Sequence, residues 1–165
     1  MSESGIEILR VGPKLLAPLK ALFGGLCGSP DERWFHPHPF TSAEAERIAL
    51  RPGRDLYYLL LEGSSALAYG LLRGWEEGFD VPSLGLYVRP DCRGRRLGEL
   101  MMHFLHAAAA RRGAPRVRLK VYPDNAAAIR LYTRLGYVFQ GPTDDGQLLA
   151  FLDLPGPAGA GGDGD

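Results

Sequence analysis

One junction constrains this chain more than any other. At Leu84–Glu99, LGLYVRPDCRGRRLGE, a strand-like apolar run passes through an arginine- and glycine-rich turn straight into a helical pattern. Before it, the runs Leu56–Glu62 and Ala66–Trp75 flank Gly63-Ser64-Ser65 and read as an antiparallel hairpin, which Leu84–Val88 extends to a meander through the Gly78–Pro82 loop. After it, Leu97, Leu100, Met101, Phe104, Leu105 and Ala108 share one face of a helix that runs to about Arg112 and stops at Gly113. Strands followed by an amphipathic helix require a mixed α/β domain in which the helix packs its apolar face on the sheet.

The rest of the chain completes that plan. Ile6–Arg10 reads as a short strand, and Leu15, Leu16, Leu19, Leu22 and Phe23 as a helix ending at Gly24-Gly25. Cys27–Phe40 holds three prolines and two histidines and is expected to be loop, followed by a helix capped by Thr41 or Ser42, with Glu44 in its first turn and Arg51-Pro52-Gly53 as its stop. Val117, Leu119 and Val121 alternate with Arg118, Lys120 and Tyr122 as a strand with one apolar face. Asp124 or Asn125 caps a further helix carrying Ala128, Leu131, Tyr132 and Leu135, closed by Gly136, and Tyr137–Gln140 with Gln147–Leu152 read as a last pair of strands.

The junction is also a place for an anion. The first N–H groups of a helix have no internal partners and lie at the positive end of its dipole. Gly94 and Gly98 allow close backbone approach, and Arg93, Arg95 and Arg96 can add charge-assisted hydrogen bonds to phosphate. Overall charge is balanced, with 19 basic and 19 acidic side chains, which argues against a surface built for nucleic acid. Yet Arg89–Arg134 contains eleven basic and three acidic residues, a concentration suited to a small phosphorylated ligand, although solvated helix and strand positions would give the same count. A Gly-Lys-Ser/Thr phosphate loop and the G-x-G-x-x-G spacing are both absent.

The junction is followed, one helix and one strand later, by YPDNAAAIRLYTRLGYVFQG, and here the chain resembles the GCN5-related N-acetyltransferases. Two motifs carry the resemblance: the R/Q-x-x-G-x-G/A turn as Arg93-Gly94-Arg95-Arg96-Leu97-Gly98, and the N-x-x-A-x-x-L-Y-x-x-x-G-F/Y helix as Asn125, Ala128, Leu131, Tyr132, Gly136 and Tyr137. They span about residues 84–141 in the family's order, with Arg96 standing where the family most often has its middle glycine. The resemblance implies an α/β fold with a mixed, mostly antiparallel twisted sheet, a bulged strand before the turn, a splayed parallel pair of central strands and about four flanking helices.

It also implies chemistry. Acetyl-CoA would lie in the splay, with the main chain of Leu86, Tyr87 and Val88 on the pantetheine arm, Arg93, Gly94, Arg95, Arg96, Leu97, Gly98 and Glu99 around the pyrophosphate, and Asn125 and Tyr132 at the thiol end. A primary amine would attack the thioester directly, with a backbone N–H near Val88 for the oxyanion and Tyr132 as the acid for the leaving thiolate. No motif assigns the general base, and Glu76, Glu77, Asp80, His36 and His38 are all candidates; Ser83 stands near where many relatives place a glutamate. Phe35, His36, His38 and Glu76 are expected at the acceptor, which is a small-molecule or peptide amine that the loops 24–42 and 74–83 would select. The alternative is a non-catalytic acyl-CoA-binding sensor or interaction module.

Composition bounds the remainder. With 165 residues, 45% hydrophobic and 23% charged, one domain is expected over 1–154, and the Gly/Pro/Ala-rich tail 155–165 is expected to be disordered. No apolar run reaches the about 18 residues of a membrane span, and the start, MSESGIEILR, is unlike a signal peptide, so a cytoplasmic protein without membrane or nucleic-acid partners is expected. The two edges of the sheet invite a homodimer. No metal site is expected: Cys27 and Cys92 are far apart, and His103 and His106 read as solvated surface opposite the apolar stripe of their helix. Cys92, near a helix start, is a less favoured thiol nucleophile.

Overall fold

The computed structural model describes residues 5–156. The part of the expected tail at 157–165 lies outside the described residues. Seven strands form one sheet: β1 (Ile6–Arg10), β2 (Leu56–Glu62), β3 (Ser65–Arg73), β4 (Ser83–Val88), β5 (Arg116–Val121), β6 (Val138–Pro142) and β7 (Leu148–Asp153), in spatial order β1-β2-β3-β4-β5-β7-β6. Every neighbouring pair is antiparallel except β4 and β5. Four helices flank it: α1 (Leu16–Leu26), α2 (Ser42–Leu50), α3 (Leu97–Arg111) and α4 (Ala126–Arg134).

Each face of the sheet has its own core, as the alternation of side chains along strands requires. Leu60, Ala68, Leu72, Leu84, Val117 and Leu119 point to one side and bury Met101, Met102 and Leu105 of α3 and Tyr132 of α4. Leu59, Leu61, Tyr69, Leu71 and Tyr87 point to the other and bury Leu19, Phe23 and Leu26 of α1 with Ala45 and Ile48 of α2. Helix α3 crosses β3 where Gly70 leaves no side chain: a Cβ there would lie 2.8 Å from Met101 Cε and 2.9 Å from Leu105 Cδ1. Thr41 caps α2 through its hydroxyl, which accepts from Glu44 N at 3.1 Å.

Four local expectations are corrected. Helix α1 continues through Gly24-Gly25 to Leu26, because Leu26 is fully buried and its packing outweighs the glycines. Part of the expected Cys27–Phe40 loop is a 3₁₀ turn, Pro30–Arg33. Strand β3 stops at Arg73 because Asp55, itself buried, accepts from the N–H groups of Gly74 (3.0 Å), Trp75 (3.0 Å) and Glu76 (3.3 Å) and bends the chain away from the ladder. Strand β4 carries no bulge: its register with β3 is unbroken from Ala68↔Val88 to Arg73↔Ser83.

Candidate active site

The parallel strands β4 and β5 share one registered pair, Ser83↔Arg118. There the Arg118 N–H donates to the Pro82 carbonyl (3.0 Å) and Arg118 Nε to Ser83 Oγ (2.8 Å). Toward Val88 and Val121 the ladder is not continued, so the strands diverge and the β5-facing peptide groups of β4 are left for another partner.

The turn after β4 enters α3 through Arg96, whose φ of 60° is the one left-handed non-glycine conformation among the described residues. An L-residue pays roughly 1–2 kcal/mol for that conformation, which glycine adopts freely. No side chain caps α3, and its first helical bond runs from Leu100 N to the Arg96 carbonyl (3.1 Å), so the Leu97, Gly98 and Glu99 N–H groups are unmatched within the helix. Glu99 turns its carboxylate to Arg134, 3.4 Å away.

A groove of about 500 Å³ follows the split from β4 over the start of α3 to α4. It brings together Leu86, Tyr87, Val88, Arg93, Gly94, Arg96, Leu97, Gly98, Glu99, Asn125 and Tyr132. Arg95 is not brought to it and pairs with Glu62 at 3.3 Å. Arg93 folds back, donating from Nε to the Val88 carbonyl (3.0 Å) and pairing with Asp31 (3.2 Å). Asn125 caps α4, accepting from Ala128 N at 3.4 Å. Cys92 also lines the groove; its buried thiol donates to Asp91 Oδ1 at 3.7 Å.

Tyr132 sits on the buried stripe of α4, and its hydroxyl makes no hydrogen bond among the described residues. Burial pushes its phenol up to about 12. The side chain is therefore protonated at neutral pH and presents an unshared donor to the groove.

A second cleft of about 390 Å³ opens beside the first, and the two meet at Trp34, Phe35, Leu84, Gly85 and Lys120. The loop before α2 roofs this meeting point. Trp34 Nε1 donates to Asp124 Oδ1 (3.2 Å), His36 Nε2 lies 2.8 Å from the Tyr122 hydroxyl, and Phe35 stacks on Tyr87 with centroids 5.7 Å apart. Phe35 reaches the strand because Gly85 lacks a side chain: a Cβ there would lie 3.3 Å from Phe35 Cε2.

Of the residues expected at the acceptor, Phe35 and His36 line the second cleft, as does Glu77 among the base candidates. His38 is not brought there. It is buried among Phe23, Phe40, Tyr57 and Tyr69, its Nδ1 donating to the Pro39 carbonyl (2.8 Å) and its Nε2 accepting from the Tyr69 hydroxyl (2.9 Å), and burial lowers its pKa. Glu76 lies instead beside Gly53 in a small separate pocket, and exposed Asp80 lines neither cleft. The expectation of a solvated His106 is corrected: it is half-buried against Tyr137, whose hydroxyl is 2.7 Å from Nε2, and burial drops its pKa to about 4. Sequence reasoning missed Asp55, whose partners lie about twenty residues away and leave no local signature, and it missed the contacts of Asp31 for the same reason.

The groove, the uncapped helix start and the buried tyrosine fall inside one family match: residues 23–137 fit the acetyltransferase (GNAT) family. The chain belongs to this family. It is also similar to a streptothricin acetyltransferase of Streptomyces lavendulae, 29% identical over 105 residues that cover 59% of this chain and 53% of the relative. The chain thus matches about half the length of that relative. The GNAT domain of S. lividans PAT superposes with a TM-score of 0.77 at 16% identity over 90% of both chains. The aminoglycoside acetyltransferase AAC(6')-Ib, solved with coenzyme A, superposes with a TM-score of 0.68 at 21% identity over 90% of this chain and 95% of that one. GNAT members use acetyl-CoA, and the mixed sheet with its one parallel pair and four flanking helices is the GNAT architecture.

Proposed function

We propose that this protein transfers the acetyl group of acetyl-CoA to a primary amine by direct attack within a ternary complex. The carrying observation is the meeting of two clefts at the split between β4 and β5, one beside an uncapped helix start and the other beneath a separate loop. One reactant can enter from each side, and the two clefts share Trp34, Phe35, Leu84, Gly85 and Lys120 as lining.

In this reading the pyrophosphate of CoA sits on the Leu97, Gly98 and Glu99 N–H groups, with Arg96 and Arg93 at its flank. The pantetheine arm takes the unpaired β5-facing peptide groups of Leu86–Val88 as an added strand would, and Asn125 lies toward its thiol end. The amine nitrogen attacks the thioester carbon, a backbone N–H near Val88 holds the oxyanion, and the C–S bond breaks. Tyr132 donates its hydrogen bond, and late in the step its proton, to the leaving sulfur, while the ammonium proton leaves through water or one of the cleft-lining bases, His36 and Glu77. Glu76 and His38 have no part in this scheme.

Release of free thiol from acetyl-CoA, measured against a panel of amines, tests the proposal. Acceptor-dependent release is expected. Coenzyme A binding without turnover for any amine would instead give an acyl-CoA-binding module.

A further inference from the structure

The second cleft carries a charge pattern that selects its occupant. Arg73 faces Ser83 across β3 and β4, and Ser83 faces Arg118 across β4 and β5, so three directly opposed positions put two guanidinium groups on one face of the sheet, flanking a hydroxyl. Neighbouring strands lie about 4.8 Å apart, so the two arginine Cα atoms are roughly 10 Å apart, close enough for both side chains to converge on one group. Both line the cleft and both are partly buried.

Neither arginine forms an ion pair with a carboxylate among the described residues. Arg118 donates from Nε to Ser83, and Arg73 donates from Nη1 to the Pro37 carbonyl, which leaves most of their ten N–H donors unspent. Lys120, on the same cleft, is already held by Asp145 at 3.2 Å. The carboxylate that lines this cleft is Glu77, so the wall is positive on balance. With Lys120 matched by Asp145, two arginines against one glutamate leave a net positive wall to a polycationic amine.

Resting on the acetyl-transfer reading, we infer that the acceptor is an amine bearing an anionic group, a carboxylate or a phosphate, which Arg73, Ser83 and Arg118 hold while the amine reaches the split. Leu86, at the near end of the proposed pantetheine strand, lies three residues along β4 from Ser83, so an anion at Ser83 and a nitrogen at that end of the split are roughly 10 Å apart. Trp34, Phe35 and Phe79 line the walls between and suit an apolar or aromatic linker.

Matched acceptors test this: 8-aminooctanoate, octylamine and 1,8-diaminooctane, with 6-aminohexyl phosphate as the phosphate arm. The expected kcat/KM for the carboxylate exceeds that for the diamine by about tenfold or more, the size of a charge-assisted contact. In an Arg73→Gln/Arg118→Gln double variant that ratio falls to near unity, and in Arg118→Lys, which keeps the charge, it survives in part. A higher rate with the phosphate assigns a phosphorylated amine and a higher rate with the carboxylate an amino-acid-like one; either supports the inference. A wild-type preference for the diamine, or an undiminished preference in the double variant, overturns it. If no amine is acetylated the acetyl-transfer reading fails, and calorimetry of N-acetyl-8-aminooctanoate with CoA-saturated protein decides the anion site separately. Wild type should bind about tenfold more tightly than the double variant, and equal or absent binding overturns the site.

Discussion

Asp31 Oδ2 lies 3.2 Å from Nη2 of Arg93, so the loop that roofs the second cleft is tied to the turn that opens α3. The same carboxylate accepts from the Tyr87 hydroxyl at 3.3 Å. A negative charge beside the proposed pyrophosphate position opposes the ligand and occupies an arginine that would serve it. Asp31→Asn is expected to tighten coenzyme A binding a few-fold, about 0.5–1 kcal/mol for a partly exposed pair, and to raise the acceptor KM as the roof loosens. Calorimetry and steady-state kinetics on the same variant check both; weaker CoA binding would show that Asp31 supports the site.

Tyr132→Phe is expected to lower kcat about 10²-fold, the usual lower range for a lost general acid, with CoA affinity changed less than about threefold. Because the hydroxyl has no partner within the described protein, its removal leaves no orphaned group, and the melting temperature should stay level. The pH profile adds a second reading. With the phenol near 12, the wild-type rate should show no alkaline fall from this group up to about pH 10. An unchanged kcat in the phenylalanine variant removes Tyr132 from the chemistry.

Arg96→Gly should stabilise the protein. Relief of the left-handed backbone outweighs glycine's greater unfolded-state freedom by about 1 kcal/mol, which raises Tm by roughly 2–4 °C in a domain of this size. Arg96→Ala keeps the strained conformation and should give no gain. Thermal melts of the two variants side by side separate conformational relief from the loss of the guanidinium.

His38 and His106 are both held neutral by burial, His106 down to about 4. Above about pH 7.5 both are neutral folded or unfolded and contribute no pH dependence. As pH falls below that value the unfolded chain binds protons that the folded one refuses, so stability drops, and for His106 the drop continues to about 4. His106→Gln should flatten part of the decline in Tm between pH 7 and 4.5; a decline as steep as in wild type would mean that the ring is solvated in the folded protein.

The elements that bury an apolar stripe were legible in the sequence, because periodicity reports burial directly. The meander, α3 with Met101 and Leu105, and α4 with Tyr132 all fall where the spacing of apolar residues puts them. The turn into α3 was legible for a local reason too, since the glycines and arginines around Arg96 lie within one helical turn of each other. What escaped depends on contacts distant in the chain. His38 sits in the same short loop as His36, yet one is buried on Tyr69 and the other lines the second cleft, and nothing in the string HPHPF distinguishes them. Glu76 and Glu77 are adjacent and face different pockets because Asp55 grips the three N–H groups before Glu77 and fixes the turn.

The most direct test is a calorimetric titration of coenzyme A into wild-type protein and into Gly98→Ala. The added methyl would sit 3.7 Å from the nearest atoms of Leu86, Val88 and Leu131, so the folded chain accommodates it, and as a helix residue it should gain about 0.5–1 kcal/mol of stability. The expected result is saturable one-to-one binding in the wild type that weakens with added salt, and at least about fivefold weaker binding in the more stable variant. Absence of saturable binding in the wild type, or identical affinity in both proteins, would contradict the assignment of the α3 start and the β4–β5 split as the cofactor site.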